Sequence, residues 1–467
     1  MHTALLALIL LANPSNETAA APASRESTDV RIEVTRLADG DTWEASYTLA
    51  EPTTRLVFPD NTNLFRHDAW VVTSDGMELA VEDGHEVIRA ADQAAFNEVE
   101  FRFASNIEHL DRSYEFHVPF TDGGVLLYTG HFEVHTESGP LDTELVLKGR
   151  PDEHLWVAGA VHDTWVQHSG EQGFGTYAYF GTGTPLQTED VVALVDPGLP
   201  EWIRTETERY LPQLFELYAE RLGFELPARP MVFFSYIEGP PGMGDFSGGA
   251  LAELIQLTVK GRQWATRDSS SEGPFERLIG FLAHESVHLW NRPTGDQEPV
   301  PGSPWMHEGG ADALSFRALL ELGVIDQAGL YLRHSRAING AAQRLQGTSV
   351  RESGNPQSSM NFYEAGSALA LATELALQAA DPGLDLFDFW RLLLAEARAS
   401  GRAFTQEDYY ALADRLAPGS DIGARLRAFV ETRHEDPAAA FMDLFGPFEA
   451  VETAIDWDTG RVTIAPR

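Results

Sequence analysis

The chain has 467 residues, of which 43% are hydrophobic, and it contains 71 acidic residues, 33 basic residues and no cysteine. This is the composition of a folded globular protein with room for roughly three structural units. The formal net charge of -38 argues against a nucleic-acid partner, because it repels phosphates, and without cysteine any transition-metal site must use histidine and carboxylate ligands.

The N-terminus has the features of a secretory signal peptide. Ala4 to Ala12 is an unbroken apolar run, which is too short for the ~20 residues that span a bilayer. Ala21-Pro22-Ala23 offers an A-x-A type cleavage site, as signal peptides require. We predict a signal peptide over 1-23, export to the periplasm or out of the cell, and no stable membrane insertion. A buried N-terminal helix is the alternative.

Residues 29-150 carry a β-strand pattern. Segments such as "DVRIEVTRL" and "NEVEFRFA" alternate between apolar and polar residues, and turn sequences such as "ADGD" and "TDGG" separate them. Alternation with a period of two predicts half-buried strands, and helical patterns are nearly absent here. We therefore predict an N-terminal antiparallel β-sandwich domain over 29-150.

The rest of the chain combines strands with helices and then becomes mostly helical. Short strand patterns such as "RPMVFFSY" accompany one strong helix, "PEWIRTETERYLPQLFELYAERLG", which opens with proline and ends on glycine, as helices commonly do. Beyond Pro274 amphipathic helical segments dominate. We predict a multidomain α+β protein with a mixed α/β domain over 151-322, a helical domain over 323-450 and a short β or irregular tail over 451-467.

One amphipathic segment, "FERLIGFLAHESVHLW", contains the pattern HExxH at residues 284 to 288. Side chains four residues apart lie on one face of a helix, so His284 and His288 can present two imidazole nitrogens to a single ion. Without a third ligand, however, the pattern fits a salt-bridged helix about as well as a zinc site.

A third ligand is available in "PWMHEGGADALSF", where Glu308 follows His288 by twenty residues. Hydrolytic zinc sites usually have three protein ligands and an open position for water. His307 competes with Glu308, but neighbouring helical positions differ by about 100°, so only one of them can face the ion. We favour Glu308. Asp312, one turn later, can accept the free N–H of a ligand histidine. The pattern predicts one Zn2+ ion as cofactor.

Two further residues are candidates for catalysis. Glu285 lies beside the predicted ligand face, where its carboxylate can take a proton from a metal-activated water and pass it to the leaving amine. Tyr363 stands near the start of a later helix, in "NFYEAGSALA", and its phenol can hydrogen-bond the tetrahedral intermediate. Taken alone, a tyrosine in such a position is more often a core residue.

Together these motifs resemble those of the gluzincin metallopeptidases, in particular the aminopeptidase N family and its glycyl aminopeptidase relatives. The family pattern is HExxH, then "W-x-x-E-G", then "Y-E-K-G", and this sequence has "HESVHLWN", "WMHEGG" and "YEAG". The resemblance implies that His284, His288 and Glu308 bind zinc. It implies that Glu285 is the general base and that Tyr363 stabilises the transition state. It also implies a thermolysin-like zinc catalytic domain over 151-322 and a peptide substrate.

The sequence departs from the family pattern in three places. The gap between the second histidine and the glutamate is one residue longer than usual, so that the family count falls on His307. Ala365 replaces the lysine of "Y-E-K-G". The family's "G-x-M-E-N" strand, whose glutamate holds the α-amine of the substrate, is replaced by "SGGALAELIQLTV". There Gly248, Gly249 and Glu253 are candidate substrate-binding residues, and Glu253 is either the amine anchor or an exposed strand residue.

The principal hypothesis is an exported zinc metallopeptidase, specifically an aminopeptidase acting on short peptides. The alternatives are a zinc endopeptidase and a catalytically inactive zinc-binding or interaction protein. Cleavage of N-blocked peptides distinguishes the two kinds of peptidase. The variant Glu285→Gln tests the third alternative, because a catalyst should lose turnover while keeping zinc and fold.

Overall fold

The computed structural model describes residues 28–59, 62–105, 110, 114–169, 175–239, 244–251, 253–267, 270, 272–291, 304–353, 360–456 and 461–467. The predicted signal peptide over 1-23 lies outside these residues. No helix in the described part of the chain is both long enough and apolar enough to cross a membrane.

The first part of the chain is built from short strands and one short α-helix. The strands are β1 (Val30–Arg36), β2 (Thr42–Thr53), β3 (Leu56–Val57), β4 (Trp70–Val72), β5 (Met77–Glu82), β6 (His85–Ala90), β7 (Phe96–Ala104), β8 (His117–Pro119), β9 (Val125–Tyr128), β10 (His135–Thr136), β11 (Gly139–Pro140), β12 (Thr143–Lys148), β13 (His154–Val157), β14 (Ala160–His162), β15 (Thr164–His168) and β16 (Tyr177–Gly181). The helix is α1 (Phe65–Ala69), and short 3-10 turns lie at Thr62–Leu64 and Thr129–Phe132.

These strands form three sheets, in the orders β15-β12-β1-β2-β7-β4, β11-β10-β3-β6-β5 and β14-β13-β16-β9-β8. The alternating pattern is realised in β1, which buries Val30, Ile32 and Val34. One pair, β1 with β12, is parallel, with Val30 opposite Thr143. The other strand pairs of this sheet are antiparallel, as predicted. The β1–β12 pair is the exception, because alternation shows which face of a strand is buried but not its direction.

Strands that follow residue 150 complete sheets that begin before it. β15 pairs with β12, and β16 pairs with β9. The β-rich part of the chain thus continues to Gly181. The domain boundaries over 29-150, 151-322, 323-450 and 451-467 stay predictions.

A fourth sheet contacts the helix that carries the HExxH motif through its edge strand, where Phe246 stacks on Phe281 with ring centroids 5.2 Å apart. Its strands are β17 (Leu186–Gln187), β18 (Val192–Val195), β19 (Met231–Ile237), β20 (Asp245–Leu251) and β21 (Leu254–Lys260), in the order β17-β18-β19-β21-β20. β18, β19 and β21 are parallel, whereas the edge strand β20 runs antiparallel to β21. Most of β19 is buried, as expected for a central parallel strand covered on both faces.

Helices make up most of the remaining chain. They are α2 (Glu201–Leu222), α3 (Glu272–Val287), α4 (Pro304–Glu321), α5 (Gln327–Arg344), α6 (Met360–Ala380), α7 (Leu386–Ser400), α8 (Gln406–Leu416), α9 (Ile422–Glu431) and α10 (Pro437–Phe445), and a 3-10 turn lies at Arg262–Thr266. A terminal hairpin, β22 (Val451–Asp456) with β23 (Arg461–Pro466), contacts α5 through a hydrogen bond from the Ile464 N–H to Ser335 Oγ (3.0 Å). The strong helix predicted ahead of "MVFF" is α2, which ends at Gly223 with φ of 77°, a left-handed conformation that favours glycine.

The helices α4 and α6 touch through their backbones. A Cβ at position 309 would lie 2.3 Å from the Cα of Gly366. On the next residue of α4, a Cβ at position 310 would lie 2.4 Å from the ring of Trp390 in α7. Only glycine permits such close approach. The two glycines of "HEGG" therefore hold the first turns of α4 tightly between α6 and α7.

Candidate metal centre

The two histidines of the HExxH motif lie at the end of α3. His284 is in its last turn, and His288 follows its last residue, Val287, in a turn that continues with a hydrogen bond from the Asn291 N–H to the Val287 carbonyl (3.0 Å). The Nε2 atoms of the two histidines are 3.1 Å apart, and their rings stand at 86° to each other. The local helical spacing thus directs both ring nitrogens to one point.

Glu308 offers a third candidate ligand atom from the first turns of α4. Its Oε2 lies 3.3 Å from His288 Nε2 and 3.6 Å from His284 Nε2. Among the described residues this buried oxygen has no hydrogen-bond partner. A buried carboxylate oxygen without a partner is costly, so the arrangement calls for a cation at this point.

Each of these three residues offers one ligand atom, and the three atoms lie within 4.8 Å of one another. Within the described ranges, no other group of three or more histidine and acidic residues meets this condition. Two imidazole nitrogens and one carboxylate oxygen are the protein ligands of many catalytic zinc sites, which keep a further position for water. The residues present therefore fit a zinc ion.

His307, the competing ligand from the sequence, points away from the cluster. Its Nδ1 lies 3.0 Å from the backbone carbonyl of Asn291, to which it donates. Its ring packs beside Phe404, with centroids 5.1 Å apart. The structure thus places Glu308 in the cluster and gives His307 a different role.

Two side chains orient the histidine rings. Asp312 Oδ1 lies 2.8 Å from His284 Nδ1, and Asn291 Oδ1 lies 3.2 Å from His288 Nδ1. Since both oxygens accept, each ring in its neutral form carries its proton on Nδ1 and offers the lone pair of Nε2 to an ion. Asp312 was expected from the sequence. Asn291 was not, although its position three residues after His288, in "HLWN", brings it within reach.

The electrostatics of the cluster favour a positive charge between the ligands. Burial opposes ionisation of Glu308, but the two imidazoles outweigh it and hold the pKa of the carboxyl far below its usual range. Burial likewise disfavours a charged His284, yet Asp312 and Glu308 outweigh it and raise the pKa of the imidazole. A bound cation would provide the positive charge that both pKa shifts favour at this point.

Glu285 is buried between these groups, with 9% of its surface exposed. Burial raises the pKa of its carboxyl, and the neighbouring histidines only partly offset that effect. A carboxylate with a raised pKa is a better proton acceptor near neutral pH than an exposed one. The residue therefore has the environment that a general base needs.

Tyr363 comes from the first turns of α6 and reaches the cluster from another side. Its ring stacks on that of His284, with centroids 5.7 Å apart and planes 23° apart. Burial and the negative charge of Glu308 raise the pKa of the phenol above its ordinary value. The hydroxyl therefore stays protonated and can donate a hydrogen bond.

The proposed substrate-binding residues lie on and after the edge strand β20. Gly248 pairs with Leu257, and a Cβ at position 248 would approach the ring of Phe281 in α3 to 3.1 Å. Gly249 faces open space. Glu253 is half-buried in the turn between β20 and β21, where its carbonyl accepts from the Met231 N–H (3.0 Å). The structure thus puts Gly248 alongside α3, Gly249 next to open space and Glu253 in the hairpin turn.

Comparison with solved structures identifies the fold. An aminopeptidase N family protein from Idiomarina loihiensis superposes with a TM-score of 0.69 at 14% sequence identity, covering 91% of this chain and 79% of that one. The chain has the fold of an aminopeptidase N family protein. The multidomain α+β architecture expected from the sequence is confirmed, as is the resemblance to this family at the level of the fold.

A second solved structure is a variant of a two-domain M1 zinc metallopeptidase with bound L-arginine. The match covers 88% of this chain and 94% of that chain at 14% sequence identity, with a TM-score of 0.48. No protein-family model matches the sequence, and no curated protein matches it.

Proposed function

We propose that this chain is a zinc-dependent metallopeptidase and, within that class, an aminopeptidase that acts on short peptides. The observation that carries the proposal is the convergence of one ligand atom each from His284, His288 and Glu308 within 4.8 Å. The buried Glu285 beside them and the aminopeptidase N type of fold support it.

The three candidate metal ligands leave the proton transfer and the oxyanion contact to two other side chains. A zinc ion held by His284, His288 and Glu308 would supply Lewis acidity toward the scissile carbonyl and the attacking water. The carboxylate of Glu285 takes a proton from that water and delivers it to the leaving amine. The neutral phenol of Tyr363 donates a hydrogen bond to the oxyanion of the tetrahedral intermediate.

The exopeptidase assignment rests on the edge of the fourth sheet. In the described residues, β20 has a strand partner on one side only, so an extended peptide can pair with its other side. Gly248 and Gly249 leave the backbone accessible there, and we propose Glu253 as the carboxylate that holds the free α-ammonium group of the substrate. The apolar N-terminal run supports export of the protein to the periplasm or beyond.

Mass spectrometry of a defined peptide mixture tests this function. Half of the peptides carry free N-termini and half are acetylated, and the protein is assayed with and without a metal chelator. An aminopeptidase removes N-terminal residues from the free peptides alone, and the chelator stops it. Internal cleavage of acetylated peptides would instead establish a zinc endopeptidase.

The non-catalytic alternative makes a different prediction in the same assay. A zinc-binding or interaction protein would bind zinc and leave every peptide intact. Measuring zinc content and cleavage on one preparation therefore separates all three functions. Zinc-loaded protein that cleaves nothing would overturn the peptidase proposal.

A further inference from the structure

Asn291 and His307 form a reciprocal pair that joins the end of α3 to the start of α4. The side-chain amide of Asn291 donates to the backbone carbonyl of His307 (2.9 Å). In return, Nδ1 of His307 donates to the backbone carbonyl of Asn291 (3.0 Å). Asn291 is 0% exposed and His307 is 8% exposed, so bulk water does not compete for the donors and acceptors of either bond.

The amide of Asn291 can adopt only one orientation. Its nitrogen faces the His307 carbonyl, which accepts, and its oxygen faces Nδ1 of His288 at 3.2 Å. Turning the amide over would set its oxygen against the carbonyl oxygen and its N–H₂ group against the N–H of His288. A single side chain therefore both orients a ligand histidine and holds the neighbouring helix.

Each member of the pair lies next to a candidate ligand, either in space or in the sequence. Asn291 touches His288 directly, and His307 precedes Glu308 in the chain. Successive residues of a helix point about 100° apart. With His307 held against Asn291, Glu308 turns toward the histidines, and its Oε2 lies 3.3 Å from His288 Nε2.

We propose that Asn291 and His307 are positioning residues for the metal centre, forming a clasp that sets the separation of His288 and Glu308. This inference rests on the proposed zinc site. The clasp holds the ligands at the separation found here before an ion arrives, so binding does not have to order the ends of the two helices. Its loss therefore weakens zinc binding even in a protein that remains folded.

The test compares zinc affinity, measured by competition with a chromogenic chelator, in the parent and in matched variants. His307→Phe keeps an aromatic ring beside Phe404 but removes the donor. We expect it to bind zinc about 10–100-fold more weakly, which is the usual effect of losing an outer-shell contact. His307→Asn places an amide N–H where Nδ1 was, and it should restore affinity to within a few-fold of the parent.

His434 provides the control. It is 6% exposed, and its Nε2 donates to the carbonyl of Phe429 (2.8 Å), so His434→Phe removes a bond of the same kind away from α3 and α4. Zinc affinity should be unchanged in this variant, whatever happens to stability. An equal loss in His434→Phe would mean that the effect is general destabilisation, and would overturn the clasp.

A second variant covers the case in which His307→Phe does not fold. Asn291→Ser removes the amide without adding bulk, and it should also weaken zinc binding at least tenfold. Parent-like zinc affinity in either folded variant would overturn the clasp while leaving the zinc site intact. A parent protein that binds no zinc would overturn the proposed function itself, so the two failures are distinguishable.

Discussion

Gly366 of α6 lies so close to Trp305 of α4 that a Cβ at position 366 would be 2.2 Å from the Trp305 carbonyl oxygen. Because Tyr363 lies three residues before Gly366 on α6, this contact sets the distance from the phenol to Glu308, the candidate ligand on α4. The glycines of "HEGG" and "YEAG" therefore act on the site through the separation of two helices.

We expect Gly366→Ala to push α6 away from α4. The steric clash is with backbone, which cannot move aside cheaply, so stability should fall by about 1–3 kcal/mol. Peptidase activity should fall at least tenfold as Tyr363 withdraws. Thermal unfolding and steady-state kinetics measure the two effects. Gly280→Ala is the control, since a Cβ there has its nearest neighbour at 3.6 Å and should be neutral or slightly stabilising.

Replacing Glu285 by glutamine removes the proposed base while keeping the shape of the side chain. Turnover should fall about 10²–10⁴-fold, the usual contribution of general acid–base catalysis, with zinc content unchanged. The control is Glu276→Gln on the same helix, where the carboxylate pairs with Arg333 (2.9 Å). Activity in Glu285→Gln equal to that of the Glu276 control would rule out the assigned role.

Tyr363→Phe tests oxyanion stabilisation. The phenyl ring can keep its stacking on His284, so folding and zinc affinity should be preserved. Loss of one oxyanion donor typically costs about 10²–10³ in kcat, and KM should change little because the bond forms in the transition state. A change confined to KM would show that the phenol binds substrate and does not stabilise the transition state.

Two buried histidines distant in sequence from the HExxH motif predict acid sensitivity. Burial lowers the pKa of His117 and of His334 to about 3, whereas a histidine in an unfolded chain titrates near 6.5. Between these values the unfolded state binds more protons. The free energy of unfolding should therefore decrease as the pH falls from about 6.5 toward 3, by up to roughly 1.4 kcal/mol per pH unit for each histidine.

Urea unfolding at several pH values checks this prediction. His117 packs against the rings of Trp43 and Phe116, so His117→Phe replaces it with another aromatic ring that does not titrate. The stability of this variant should depend less steeply on pH than that of the parent. Parallel curves for the two proteins would show that His117 does not contribute.

The arrangement of the β-sheets shows the limit of sequence patterns. Alternation in β1 correctly predicted a buried face made by Val30, Ile32 and Val34. The parallel partner of β1 is β12, which lies more than a hundred residues later. Such a pairing depends on the path of the whole intervening chain, which local alternation does not report.

The sequence by itself determined the part of the candidate site that depends on local geometry. Helical periodicity places His284 and His288 on one face and Glu285 beside it, whatever the rest of the chain does. Tertiary packing alone decided that Glu308 and not His307 joins the histidines, and that Tyr363 reaches them from α6. These choices depend on how helices distant in sequence contact one another, through the Asn291 amide and through glycines whose missing side chains allow backbones to touch.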